Sequence, residues 1–212
     1  MRFHGIVNPT YVDGPGKRVA LYLQGCSIRC PGCQNQALWP ATGGHQASPR
    51  SLADILLEAG LPVTISGGEP FDQPVALYEL LHELRTRAPD LHIILYSGYT
   101  LEQLICSHSA ETLFSLLLID VLVDGPYVQE QDDPAMQYRG SRNQRVIDMP
   151  ATVRMPLCDL GSSGPILLDW DTPELILTSG GDLLGATPIA RQFAPAGQLT
   201  PTRRCGEPNP PE

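Results

Sequence analysis

Three cysteines lie within eight residues, in the run Cys26-Ser-Ile-Arg-Cys30-Pro-Gly-Cys33, which gives a C-x3-C-x2-C spacing. Three thiolates suit a [4Fe–4S] cluster in which one of the four irons stays open to a further ligand. Pro31-Gly32, between the last two cysteines, suits the tight turn that such a loop needs. A structural zinc site would want four protein ligands, commonly as paired C-x2-C elements, and the sequence has no second pair. Cys106, Cys158, Cys205 or a histidine could supply a fourth ligand, but none sits at a recognisable spacing. Unliganded thiols are the third reading. Spacing alone leaves all three open.

A second group of residues stands at Ser66-Gly67-Gly68-Glu69-Pro70, directly after a predicted strand. The glycines let the backbone come close to a ligand, and Glu69 can accept hydrogen bonds from an ammonium group. Taken alone, the same residues make an ordinary strand-to-helix turn, with a carboxylate where a helix start favours one. Beside the three-cysteine loop they read as a second part of one site.

The elements that must position these groups alternate. Strands are expected at Val19 to Gln24, Pro62 to Ser66, Leu91 to Tyr96, Ile119 to Val123 and Arg145 to Asp148. Helices are expected at Ser51 to Ala59 (with Ser51 as N-cap), Pro74 to Ala88, Leu101 to Ser107 and Ala110 to Leu117. Such alternation implies an α/β fold with parallel strands joined by right-handed crossovers. Each strand ends in small or polar residues: Gly25-Cys26, Ser66-Gly67-Gly68, Ser97-Gly98 and Asp124-Gly125. Ligands bind beyond the carboxyl ends of parallel strands, so these residues are expected to converge on one rim.

Composition narrows the partners. The formal charge is −9, which argues against a nucleic-acid or anionic-membrane surface. Arg139, Arg142 and Arg145 form a local basic cluster that could serve an anionic ligand. No apolar run approaches the length of a membrane span, and Met1 to Gly16 has no apolar signal core, so a cytoplasmic protein is expected. A hydrophobic share of 42% is enough to bury a core. Residues 1–150 are expected to hold that core and residues 151–212 to form a Pro- and Gly-rich extension. Within the extension, Ile166 to Trp170 and Leu175 to Thr178 could pair as strands, and Ala194 to Glu212 is rich in proline, a pattern of disorder.

The cysteine spacing followed by Gly67-Gly68-Glu69-Pro70 resembles the radical S-adenosylmethionine superfamily. Within it, the resemblance to the activating proteins of anaerobic ribonucleotide reductase is close and extended. The shared motifs are Asp13-Gly14-Pro15-Gly16 with Arg18, Gln24-Gly25-Cys26, Cys30 to Asn35, and Ser66 to Pro70. They continue through Tyr96-Ser97-Gly98-Tyr99, Asp120 to Pro126, and Gly140-Ser141-Arg142-Asn143-Gln144-Arg145-Val146.

The resemblance implies a partial (β/α)6 barrel, about six strands, with a C-terminal extension. It implies that Cys26, Cys30 and Cys33 ligate a [4Fe–4S] cluster and that S-adenosylmethionine chelates the open iron. Gly67, Gly68 and Glu69 would bind the cofactor's amino group, and Ser97 would lie near its ribose or carboxylate. Asn35, Asp124 and Asn143 are further candidates for the cluster loop or the cofactor pocket, each with a turn-forming or capping role as the alternative. Asp13 to Arg18 would form a loop at the mouth of the cluster site. The implied activity is reductive cleavage of S-adenosylmethionine to a 5′-deoxyadenosyl radical, which takes a hydrogen atom from a backbone glycine of the large reductase subunit. The implied electron donor is a flavodoxin-like protein. A radical enzyme acting directly on a small molecule or peptide is the alternative, and a non-catalytic iron–sulfur or zinc protein is a third. About sixty residues after Asp148 carry none of the resemblance.

Overall fold

The computed structural model describes residues 1–107, 109–155 and 163–171. Cys158, Cys205, the expected strand at 175–178 and the proline-rich end lie outside the described residues.

Strand β1 (Arg2–Thr10) runs antiparallel to β2 (Arg18–Leu23), and the two-residue β3 (His45–Gln46) pairs with the outer edge of β1. There follow α1 (Pro49–Glu58), β4 (Val63–Gly67), α2 (Pro74–Arg87) and β5 (Ile93–Tyr96). Next come α3 (Leu101–Cys106), α4 (Ala110–Leu117), β6 (Val121–Asp124), β7 (Arg145–Asp148) and α5 (Met149–Val153). The sheet order is β3-β1-β2-β4-β5-β6-β7. Strands β2, β4, β5 and β6 are parallel, whereas β7 runs antiparallel to β6.

The expected partial (β/α)6 barrel is therefore corrected to an open, mixed sheet, with seven strands and five α-helices among the described residues. Parallel pairing needs a long crossover, usually a helix. The β1–β2 link is only the loop of residues 11–17, and between β6 and β7 the described structure holds one short 3-10 turn, Gln129–Gln131. Both pairs are accordingly antiparallel. No expected element covered β1, because Gly5 and Asn8-Pro9 interrupt its alternation and most of its residues are partly or fully exposed.

The other expected elements are present with shifted ends. Helix α1 starts at Pro49 with Ser48 as its cap, ahead of the expected Ser51, whose backbone N–H instead donates to Ser48 Oγ at 3.0 Å. Proline suits a first helical position because its missing N–H has no partner there. Thr100 and Gln103 close a capping box on α3. Pro74 opens α2 in the same way as Pro49 opens α1.

Alternation along the strands divides the sheet into two faces. Val19, Leu21, Leu23, Ile65, Ile93 and Leu95 pack against Leu52, Leu56, Leu77, Leu80, Leu81 and Leu84 of α1 and α2, all but fully buried. Each such side chain contributes about 1.5–3 kcal/mol by leaving water. The opposite face carries Ile94, Val121, Val123 and Val146, and there the cover is Trp170 rather than a helix. Residues of the expected extension reach this face by pairing with β7: Leu168 N–H donates to Val146 O at 2.7 Å, and Asp148 N–H to Ile166 O at 2.9 Å. Ile166 to Trp170 thus finds its partner in β7.

An ion pair fixes the far end of the sheet. The Asp124 carboxylate is fully buried and accepts from Arg145 Nε at 2.9 Å and from Leu101 N–H at 2.7 Å. Arg145 also reaches Glu102 on α3, at 2.8 and 3.0 Å. Removing one partner of a buried pair leaves an uncompensated charge. Arg145→Ala is expected to lower unfolding free energy by about 3 kcal/mol, and Asp124→Asn in the Arg145→Ala background to restore part of it, as read by urea denaturation.

Candidate metal centre

The cysteine loop leaves the carboxyl end of β2 and returns beside its own start. Gly25 N–H donates to Leu38 O at 2.8 Å and Cys26 N–H to Trp39 O at 3.1 Å. The Gln24 amide bridges the same neck by donating to Pro40 O at 2.9 Å. Inside the loop, Cys33 N–H donates to Cys30 O at 3.1 Å, the turn expected around Pro31-Gly32. Asp72 holds the near side, accepting from Ser27 N–H at 2.6 Å and Ser27 Oγ at 2.7 Å, while Tyr99 Oη stands 3.0 Å from the same hydroxyl.

The three cysteines are free thiols, each half-buried. Burial pushes the Cys26 and Cys30 thiols upward, against backbone N–H groups of Ile28 and Arg29 that favour the Cys26 thiolate and of Tyr127 that favours that of Cys30. Asn35 N–H donates to Cys33 Sγ at 3.3 Å. Three thiols with N–H donors to sulfur fit an iron–sulfur group, whose charge such hydrogen bonds stabilise. Among the described residues no three His, Cys, Asp or Glu side chains gather as ligands of a single metal ion.

The turn after β4 is bonded into the neck of this loop. Gly68 N–H donates to Leu23 O at 2.9 Å and Glu69 N–H to Gly25 O at 2.8 Å. Gly67 has φ +101°, and a Cβ there would stand 2.5 Å from Leu23 N; one at Gly68 would collide with the Gly25 carbonyl. The glycines are thus required by the close approach of two backbones. The Glu69 side chain turns inward and is 1% exposed. Its carboxylate accepts from Phe71 N–H at 2.9 Å, Ser97 Oγ at 3.0 Å and Gly98 N–H at 2.8 Å. Ser97, itself buried, therefore meets Glu69 and accepts from Tyr99 N–H at 3.1 Å.

A pocket of about 320 Å³ opens beside Cys33 and Asn35 on the helix-free face. Tyr96, Tyr127, Tyr138 and Arg139 form much of its wall, with Asp13 and Gln144. Asp13 is held there by Tyr22 Oη and Thr10 Oγ1, both at 2.5 Å. Arg18, from the same motif, instead lies buried against Thr64 and Val63 O, where burial lowers its pKa to about 10.

Of the expected site residues, the structure brings together the three cysteines, Asn35, Gly67, Gly68, Glu69 and Ser97. Asp124 stands apart in its pair with Arg145, and Asn143 in a turn, donating to Pro126 O at 2.7 Å and accepting from Ser141 Oγ at 2.7 Å. The basic cluster is dispersed: Arg142 pairs with Asp133, Arg145 with Asp124 and Glu102, and Arg139 with Asp171. Asp72, Tyr127 and Tyr138 were not anticipated as parts of the site. Only Asp72 had a usable signal, its place in the turn after Pro70.

Burial raises the Glu69 pKa from 4.5 to about 7. Between those values the folded chain holds a proton that the unfolded chain has lost, so this group's contribution to stability falls as pH rises. In the metal-free protein, the stability advantage of wild type over Glu69→Gln is expected to shrink by about 2 kcal/mol between pH 4.5 and pH 8. Paired denaturation curves at the two pH values measure it, and an advantage that grows with pH contradicts the assignment.

Comparison with known proteins places this geometry. The protein-family model described as "4Fe-4S single cluster domain" matches residues 12–147. The anaerobic ribonucleoside-triphosphate reductase-activating protein of Vibrio cholerae is 38% identical over 154 residues, covering 68% of this chain and 96% of the relative. The proteins of the same name from Escherichia coli K12 and phage T4 are 33% and 31% identical, each covering 69% of this chain and 97% and 93% of the relative. The chain belongs to the 4Fe-4S single-cluster-domain family and, within it, to the anaerobic ribonucleoside-triphosphate reductase-activating proteins.

Proposed function

We propose that this chain is a cytoplasmic radical S-adenosylmethionine enzyme that installs a glycyl radical on an anaerobic ribonucleotide reductase, with electrons from a flavodoxin-like donor. One observation carries the reading: the three-cysteine loop is bonded at its neck to the Gly67–Glu69 turn and opens on a ring-lined pocket. The names of the relatives supply the partner. A reduced cluster held by the three cysteines would supply one electron for splitting S-adenosylmethionine into methionine and a 5′-deoxyadenosyl group that would accept a hydrogen atom from the partner's glycine.

The chain's own residues do the rest. Cys26, Cys30 and Cys33 would hold three irons of the cluster as thiolates. Because burial holds Cys26 and Cys30 protonated, loading the cluster releases protons and is favoured by rising pH. Gly67 and Gly68 bring peptide groups close to the cluster loop for the cofactor's amino group. Glu69 serves by fixing Ser97 and the Gly98 backbone, since its carboxylate is already occupied by three donors. Asn35 orders the loop through its bond to the Cys33 sulfur. Asp124 and Asn143 act at one remove, by setting the strand end and turn from which the pocket wall rises. Tyr96 commits its hydroxyl hydrogen to Tyr138 O at 2.7 Å, which would keep it from a radical formed in the pocket.

Anaerobic reconstitution with iron and sulfide, then dithionite and S-adenosylmethionine, is expected to yield 5′-deoxyadenosine. Cys30→Ala is expected to lose at least about 100-fold of that activity, since such rates commonly track the loss of an essential group. Tightly bound zinc in place of iron, or an intact reducible cluster that never cleaves the cofactor, would refute the proposal.

A further inference from the structure

We infer that Trp170 and Asp171 are positioning residues: they hold Tyr138 and Arg139 in the pocket wall in the arrangement that binds ligand. Both lie beyond the stretch matched by the family model, which ends at residue 147. The inference rests on the proposed function only in the choice of S-adenosylmethionine as the probe.

The wall segment carries a strained residue. Tyr138 has φ +58°, a left-handed conformation that costs a bulky residue about 1–3 kcal/mol. Such a conformation persists only where surrounding contacts over-determine it. Here the Trp170 ring meets Tyr138 edge-on, with centroids 5.6 Å apart and planes at 90°. Trp170 is 5% exposed and anchored among Ile94, Val121, Val123 and Val146, so it is a fixed support. From the sheet side, Tyr96 Oη donates to Tyr138 O at 2.7 Å.

Asp171 holds the residues on either side of Tyr138. One carboxylate oxygen accepts from Gln137 N–H at 3.2 Å, and the other pairs with Arg139 Nη2. Arg139 Nη1 donates to Gln144 O at 3.2 Å, which closes the segment on itself. Among the described residues the buried Arg139 Nε has no partner, although arginine N–H groups are rarely left so. Each outer nitrogen keeps a second N–H, so Arg139, which lines the pocket, still has donors for a ligand. Loss of Asp171 frees the guanidinium to rotate, and loss of Trp170 frees the strained Tyr138 to relax.

Two readouts test this on the full chain. Hydrogen exchange of the metal-free protein is expected to rise about threefold to fivefold across residues 137–144 in Asp171→Ala and about tenfold in Trp170→Ala, with β2 and β4 unchanged. In the reconstituted protein, Asp171→Ala is expected to raise the Kd for S-adenosylmethionine about fivefold with iron content and visible spectrum unaltered, and Asp171→Glu to recover part of it. The Asp171→Ala effect on Kd is expected to shrink below about twofold in an Arg139→Ala background, as coupled residues require. If Trp170→Ala does not fold, Trp170→Phe, which keeps a ring against Tyr138, is expected to bind as wild type does.

Unchanged exchange at 137–144 in Asp171→Ala overturns the inference. So does faster exchange with unaltered affinity while wild type still forms 5′-deoxyadenosine, and in that case the proposed function stands. Wild-type protein that loads its cluster but binds no S-adenosylmethionine refutes the proposed function instead, and the exchange data then decide whether the clamp exists.

Discussion

The structure around the cysteines depends on one contact between backbones. At the carboxyl ends of β2 and β4, the Leu23 to Gly25 segment and the Gly67 to Glu69 turn approach so closely that no Cβ fits between them, and two hydrogen bonds of 2.8 and 2.9 Å join them. Parallel pairing of β2 with β4 brings the two chain ends to the same level, in a register that matches Leu23 with Gly67. Everything beyond inherits its position from that junction. Cys26 follows Gly25 by one residue, and Glu69 turns its carboxylate from the same turn toward Ser97 and Gly98, just past the end of β5. Three adjacent strand ends are thereby tied together by one glycine pair and one buried carboxylate.

The two faces of the sheet are built by different means. The helix side is a close-packed aliphatic core of leucine, isoleucine and valine, which gains its stability from the area removed from water. The other side mixes apolar residues with a buried arginine, phenols and carboxylates that are held by specific partners such as Thr64 for Arg18 and Asp13 for Tyr22. Polar groups of this kind rigidify a site when they are all bonded and destabilise it when they are not. The pocket belongs to this second face, which explains why its wall depends on named pairs such as Tyr96 with Tyr138 rather than on general packing.

Much of this could be read in the sequence, for physical reasons that differ by element. Strands β2, β4, β5 and β6 are short apolar runs closed by small residues, and buried parallel strands produce that pattern. Helices α1 to α4 carried leucines at helical spacing with caps or prolines at their starts. Strand β1 did not, since an outer strand with exposed positions has no need to alternate cleanly. Sheet closure was also beyond reach, because the antiparallel return of β7 depends on the absence of a crossover helix rather than on any residue within β7. In the site, spacing found the cysteines and the Gly67–Glu69 turn. It could not find Tyr127 and Tyr138, which sit in loops with no period, nor the inward turn of Glu69, which three donors on other elements decide. Asp124 was legible as a polar strand end, but its partner Arg145 lies 21 residues away, on the neighbouring strand.

The pairing of Leu168 with Val146 has a further effect. A sheet that fails to close leaves two margins, and each bare margin is a template on which a second chain can add a strand. One margin here ends in β3, only two residues long and exposed, too short to recruit a partner of any length. The other would be β7, with a fully apolar Val146-Ile147 pair, and there the chain lays its own later residues across the unpaired groups. Strand addition at the β7 margin is thereby hindered by the chain's own residues, whereas on the other margin β3 covers only Arg2 and Phe3 of the longer β1.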